Sequence, residues 1–166
     1  AGLNFPDNAA YFSDQPSKDN IAPFELIPWI LGQCKTITEA FQLLNRSNII
    51  QVPFSKDYPL SPLHWIIADK DQCITVESTK KGLTIHPNTP GVLTNNPPFD
   101  YHLQNLNNYI NLTANEPSNR FSDKINLNVY SRGMGAIGLP GDSSSSSRFI
   151  RAVFTKFNSQ CDIDEL

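Results

Sequence analysis

HWIIADKDQCITVESTKKGLTIH, residues 64–86, reads as three short strands broken by two turns. His64–Ala68 is apolar and aromatic, Cys73–Ser78 alternates Ile74 and Val76 with polar neighbours, and Leu83–His86 follows. Asp69-Lys70-Asp71-Gln72 and Lys80-Lys81-Gly82 have the composition of tight turns. Short strands joined by tight turns predict an antiparallel meander, with Val92–Thr94 as a further strand. Upstream, Thr36-Ile-Thr-Glu39 fits a capping box ahead of Ala40, Phe41, Leu43 and Leu44, and predicts a helix over 37–46. Residues 21–31 are apolar and also read as helical, with Pro23 in the first turn and Pro28 shortening the helix. Residues 7–20, rich in turn formers, and 53–62, with three prolines, read as loops.

Downstream, Phe99, Leu103, Leu106 and Ile110 share one face of a helix over 99–110. Residues 125–130 read as a strand. Phe149, Ile150, Val153, Phe154 and Phe157 predict an amphipathic helix over 147–158 behind a run of serines. Helices, then strands, then helices predict a mixed α+β domain with helices packed on a sheet.

Composition narrows the function. The chain has 166 residues, enough for one domain with a real core, and its 39% hydrophobic content excludes whole-chain disorder. Thirteen basic residues against 16 acidic ones give a net charge of −3, and no basic patch points to nucleic acid. No apolar run is long enough to span a membrane. Cys34, Cys73 and Cys161 are odd in number and widely spaced, which disfavours a disulfide framework or zinc site and suits a reducing compartment. His64, His86 and His102 show no paired metal spacing and read as core or surface residues; Trp29, Trp65, Cys34 and Cys73 read as core. The first residues, Ala1-Gly2-Leu3-Asn4-Phe5-Pro6, carry neither an initiator Met nor a signal stretch, which predicts a chain cut from a longer protein.

Three motifs admit a bland reading and a functional one. Gly133-Met-Gly135-Ala-Ile-Gly138 has the spacing of a dinucleotide fingerprint. Leu139-Pro140-Gly141-Asp142 breaks the chain where a helix should start, so the glycines instead let a loop pass close to another segment. Asn95, in Asn95-Asn96-Pro97-Pro98, is either a turn residue or a side-chain amide placed to donate to an oxyanion. Asp142 to Arg148 is either a flexible serine linker or a helix start. In the second case it puts Arg148 at a helix N-terminus, an unfavourable place for a cation unless it has a partner.

An ordered set of strings goes further. Ala1-Gly2-Leu3-Asn4-Phe5, Pro23-Phe24-Glu25 with Pro28-Trp29, Leu63-His64-Trp65, Gly91-Val92-Leu93-Thr94-Asn95, Phe99-Asp100-Tyr101-His102, Gly138-Leu139-Pro140-Gly141-Asp142 and Ser147-Arg148-Phe149 together resemble the choloylglycine hydrolase family. That family includes conjugated bile salt hydrolases and penicillin V acylases. The resemblance implies an N-terminal-nucleophile hydrolase, a four-layer αββα sandwich of which residues 1–166 form the central part of one domain. It implies amide hydrolysis by a processed N-terminal cysteine whose own α-amine can act as base, with no metal or organic cofactor.

The resemblance assigns the Asn4 backbone N–H and the Asn95 side-chain amide to the oxyanion hole, and places Arg148 beside the nucleophile. It places Phe54, Tyr58 and Leu60 near the substrate pocket. Asn at position 4 is similar to the bile-salt branch, so glycine- or taurine-conjugated bile acids are the expected substrates and penicillin V or another N-acyl amide the alternative. The implied protein is bacterial, cytoplasmic and homotetrameric. The chain departs from the family in lacking the segment that carries the nucleophile, and none of its three cysteines stands in that place. The 166 residues alone are therefore expected to be inactive. The alternative of another class is a non-catalytic relic or binding domain. Cys161–Leu166 have no assigned counterpart.

Overall fold

A computed structural model describes residues 1–159. The meander is present as read. β3 (His64–Ala68), β4 (Cys73–Thr79) and β5 (Gly82–Pro87) form an antiparallel sheet in that order. Asp69 builds the first turn: its carboxylate accepts the N–H groups of Asp71 at 2.9 Å and Gln72 at 2.7 Å. Its other oxygen accepts the Ile37 N–H at 2.9 Å and so ties the turn back to the helix over Ile37–Asn45. These bonds, the one from Ile37 first, hold the Asp69 carboxyl below the usual carboxylate range. Thr79 pairs with Gly82 across the second turn, and Gly82 takes a φ of 104°, which only glycine adopts freely.

A second, two-stranded sheet precedes it. β1 (Asp19–Ile21) and β2 (Ser47–Ile49) run parallel, and the chain between them holds α1 (Leu26–Leu31) and α2 (Ile37–Asn45). The α2 boundaries follow the capping box. The Glu39 N–H donates to Thr36 Oγ1 at 3.3 Å, while the Glu39 carboxylate takes the Lys35 N–H at 2.6 Å. The helix expected over 21–31 is only six residues long, 26–31. Pro28, not Pro23, sits in its first turn, where a missing N–H costs nothing.

The C-terminal part contains α3 (Phe99–Asn105), continued by a 3₁₀ turn over Leu106–Tyr109, and α4 (Ser145–Asn158). The tighter 3₁₀ winding rotates Ile110 off the buried face; it is exposed rather than core. Ser144 caps α4 by accepting the Ser147 N–H at 3.2 Å. Phe149, Ile150 and Val153 are buried, whereas Phe157, expected on the same face, is exposed.

Two expected strands are absent. At Val92 the backbone groups are taken by a side chain. Asn88 Oδ1 accepts the N–H groups of Gly91 and Val92, and Asn88 Nδ2 donates to the Val92 carbonyl. Residues 125–130 have no partner strand among the described residues. Asn119 Nδ2 instead donates to the carbonyls of Ser122 and Ile125. The glycine motif holds no helix of nucleotide-binding length, only a 3₁₀ turn over Met134–Ala136. A Cβ on Gly135 would collide with the Thr113 and Asn115 carbonyls, so the close approach read from the glycines is to that segment.

The core falls into two clusters. One joins α1, α2 and the strands through Leu26, Ile30, Leu44, Ile49, Trp65 and Val76; Cys34 and Trp29 pack on it half-buried. The other joins α3 and α4 through Phe99, Phe149, Ile150 and Val153. The α+β class is as expected. Cys161–Leu166 lie outside the described residues.

Candidate active site

Residues 1–3 run antiparallel along the edge of β3. Gly2 bridges Leu63, the His64 N–H donates to the Ala1 carbonyl at 3.0 Å, and the Leu3 N–H donates to the Pro62 carbonyl at 2.8 Å. That pairing brings the Gly2 carbonyl to Asn95, whose Nδ2 donates to it at 3.1 Å. Arg148, in the first turn of α4, donates through Nη2 to Asn95 Oδ1 at 2.7 Å. A guanidinium only donates and a carbonyl only accepts, so both contacts fix the same orientation of the Asn95 amide. Its oxygen faces Arg148 and its NH2 faces Gly2.

Asn4 is tied to the same place by its neighbour's amide. Asn96 Nδ2 donates to Asn4 Oδ1 at 3.1 Å, and Asn96 Oδ1 accepts the Phe5 N–H at 2.9 Å. A Cβ on Gly2 would lie 3.4 Å from Asn4 Oδ1 and 3.6 Å from Asn95 Nδ2, so the two asparagine side chains flank one glycine. Asn4 is exposed, and among the described residues nothing accepts its backbone N–H. The three residues singled out from sequence, Asn4, Asn95 and Arg148, are thus brought together.

The unfavourable position of Arg148 at a helix N-terminus is offset locally. Its Nε donates to the Ser143 carbonyl at 3.2 Å, and Asp142 lies just before the helix. Hydroxyls of Ser144 and Ser147 and the Ser144 N–H hold the Asp142 carboxyl well below the usual carboxylate range. Arg151, one turn on, is spent on the carbonyls of Pro140 and Asp142 at 2.8 and 2.7 Å. Asp142 to Arg148 is a helix start, not a flexible linker.

Phe54, Tyr58 and Leu60 line a cavity of about 320 Å³ together with Phe24, Val52 and Leu63. Phe24 and Phe54 meet edge to face at 5.3 Å. The loop is anchored by Tyr11, whose hydroxyl donates to the Ser61 carbonyl and accepts the Leu63 N–H. Leu63 is also the bridge partner of Gly2, so the apolar cavity adjoins the strand that reaches Asn95. A larger cleft, about 980 Å³ beside α2 and the meander, contains none of the predicted site residues.

Sequence reasoning missed the polar groups behind Asn95. His64 and Glu77 are fully buried and joined at 2.8 Å between Nδ1 and Oε1. His64 Nε2 donates to the Thr94 carbonyl at 2.8 Å, and His102 Nε2 to the Asn95 carbonyl at 3.0 Å. The Glu77 oxygens also accept the Phe99 N–H, the first of α3, at 3.0 and 3.1 Å. The alternation of β4 assigns Glu77 to a solvent face, yet that face is covered. An acid in mid-strand with histidines at 64 and 86 on the flanking strands was the one available signal. No group of three or more potential metal ligands exists among the described residues. No described helix is long and apolar enough to cross a membrane.

An edge strand, an oriented asparagine amide and an arginine thus meet at one place, and comparison with known proteins supplies the family. The profile of the linear amide C–N hydrolases, choloylglycine hydrolase family, matches residues 1–165, and the chain belongs to that family. It is 55% identical over 159 residues to a bile salt hydrolase/transferase of Lactiplantibacillus plantarum, covering 96% of this chain and 49% of the relative. It is 40% identical to a bile salt hydrolase/transferase of Clostridium perfringens, covering 94% of this chain and 48% of the relative. A crystal structure of a variant conjugated bile acid hydrolase from Clostridium perfringens superposes with a TM-score of 0.84 at 39% identity, over 95% of this chain and 48% of that one. The expected N-terminal-nucleophile architecture is therefore present in part. The chain spans about half the length of the curated relatives it matches.

Proposed function

We propose that the protein carrying this chain hydrolyses the amide bond of glycine- or taurine-conjugated bile acids. The observation that carries the reading is the Asn95 Nδ2, aimed by Arg148 toward Gly2 beside the unpaired N–H of Asn4. An amide NH2 held in a fixed orientation, with a second N–H left free nearby in the chain, suits the oxygen of a tetrahedral intermediate. In the proposed reaction a cysteine thiolate supplied by a segment outside residues 1–166 adds to the amide carbon. The carbonyl oxygen becomes the oxyanion held by Asn4 and Asn95. Collapse expels the amine of glycine or taurine with a proton from the nucleophile's own α-amine, and water then cleaves the thioester.

The cavity of about 320 Å³ lined by Phe54, Tyr58 and Leu60 offers an apolar wall, which suits the steroid of a bile acid. A single cytoplasmic, homotetrameric domain in which residues 1–166 are the central part goes with this reading. Free thiols at Cys34 and Cys73 suit it. The test is amino acid release from taurocholate and glycocholate by the protein extended to the length of its relatives, with penicillin V alongside. Release from neither bile salt ends the proposal; faster turnover of penicillin V moves it to the acylase branch. The 166-residue chain alone is expected to release nothing.

Arg148 gives a second measurement. A guanidinium near the sulfur stabilises the thiolate. Arg148→Ala is expected to raise the nucleophile's pKa by about one unit, read from the pH dependence of alkylation. An unmoved pKa leaves Arg148 only its hold on Asn95.

A further inference from the structure

We infer that the two buried histidines, His64 and His102, are positioning residues that clamp the Thr94–Asn95 backbone and so aim the Asn95 amide. The inference rests on the amidase reading above and concerns how its donor is held. Every polar backbone group of Asn95 is taken by another element. Its N–H donates to Ser145 Oγ of α4 at 2.7 Å, and its carbonyl accepts His102 Nε2 of α3 at 3.0 Å. The preceding carbonyl, Thr94, accepts His64 Nε2 of β3 at 2.8 Å. The Thr94 and Ser145 hydroxyls close the cage: Ser145 Oγ donates to Thr94 Oγ1 at 2.9 Å, and Thr94 Oγ1 to the Ser145 carbonyl at 3.1 Å.

The chemistry of the two imidazoles fixes their roles. A carbonyl accepts only, so Nε2 carries hydrogen in both. His64 is held from both sides: its Nδ1 shares one hydrogen with Glu77 Oε1 at 2.8 Å while its Nε2–H meets the Thr94 carbonyl, and the two contacts orient the ring. No side chain backs His102: its Nδ1 is buried without a hydrogen-bond partner of good geometry. Its ring is held instead by stacking on Phe149, centroids 4.9 Å apart and planes at 19°. Burial pushes the His102 imidazole below its ordinary pKa, outweighing the raising effects of the Asn95 carbonyl, the Glu77 charge and the Pro97 backbone, so it stands neutral at pH 7. A buried polar atom left bare is a cost that packing alone would remove, since phenylalanine would stack equally well. What histidine adds at this position is one N–H aimed at the residue whose side chain forms the oxyanion site.

The experiment separates hydrogen bond from ring. In the protein of full relative length, His102→Phe keeps the stack and loses the donor, while His102→Gln keeps an N–H near Nε2 and loses the ring. His102→Phe is expected to lower kcat on taurocholate about tenfold with KM within about twofold, and His102→Gln to recover most of that loss. In an Asn95→Ala background His102→Phe should change kcat by less than about twofold, because the donor it positions is gone. The reverse order, with Phe near wild type and Gln impaired, overturns the inference, as does an undiminished effect in the Asn95→Ala background. If His102→Phe does not fold, His102→Leu, equally without a donor, must show the same kcat loss. A wild-type protein that hydrolyses no bile salt removes both readings. An active one with unchanged kcat in His102→Phe removes only this one.

Discussion

Asn95→Ala is expected to lower kcat on the proposed conjugated bile salt substrate by about 10²–10³-fold, the usual effect of losing one oxyanion donor, and to leave KM within about twofold. The expectation follows from where the side chain ends. Its NH2 lies 3.1 Å from the Gly2 carbonyl and its oxygen is committed to Arg148. Only the NH2 can turn toward a developing negative charge. Asn95→Asp sharpens the test: it keeps an oxygen for Arg148 and replaces the donor by an acceptor. If Arg148 anchorage were the sole role of Asn95, Asp would be tolerated. If donation matters, Asp is at least as damaging as Ala. Steady-state kinetics on taurocholate decides it, and an unchanged kcat in Asn95→Ala removes Asn95 from the mechanism.

Glu77→Ala is the expected major loss of stability, about 3–5 kcal/mol, the scale for breaking a buried pair by removing one partner. Glu77 is 1% exposed and His64 fully enclosed, so bulk water does not reach the pair. The substitution strands the imidazole Nδ1 and the first N–H of α3 together. Glu77→Gln retains an acceptor for the Phe99 N–H and should cost less. A melting temperature lowered by about 10 °C for Ala, with a smaller drop for Gln, is the outcome to look for. Equal melting temperatures for Glu77→Ala and wild type would show that the buried pair contributes no net stability.

The legible parts of the fold are those that local chemistry dictates. α2 announces itself in Thr36 and Glu39, and the meander in Asp69 and Gly82, because cap and turn residues act on backbone within a few positions. Val92–Thr94 and 125–130 were misread for a shared reason. Both carry strand-like side chains, but a strand also needs a neighbour, and in both an asparagine, Asn88 or Asn119, takes the backbone groups first. In the candidate site, the family resemblance singled out Asn4, Asn95 and Arg148; residue chemistry alone does not decide between turn and donor for Asn95 or between linker and helix start for the serine run. Glu77, His64 and His102 were hidden because burial of a polar side chain is a tertiary property. A mid-strand acid looks the same whether water or an imidazole faces it.

The two hydrophobic clusters meet at a polar seam, and the proposed oxyanion site straddles it. Gly2 and Asn4 belong with β3 and the first cluster; Asn95 and Arg148 belong with α4 and the second. Each cluster is a candidate cooperative unit, able to open while its neighbour stays folded. A site built across such a boundary is only as durable as the junction. Parting of the units by an ångström or two would dismantle it while both interiors remain intact, so in the protein of full relative length the proposed activity is expected to be lost below the melting temperature.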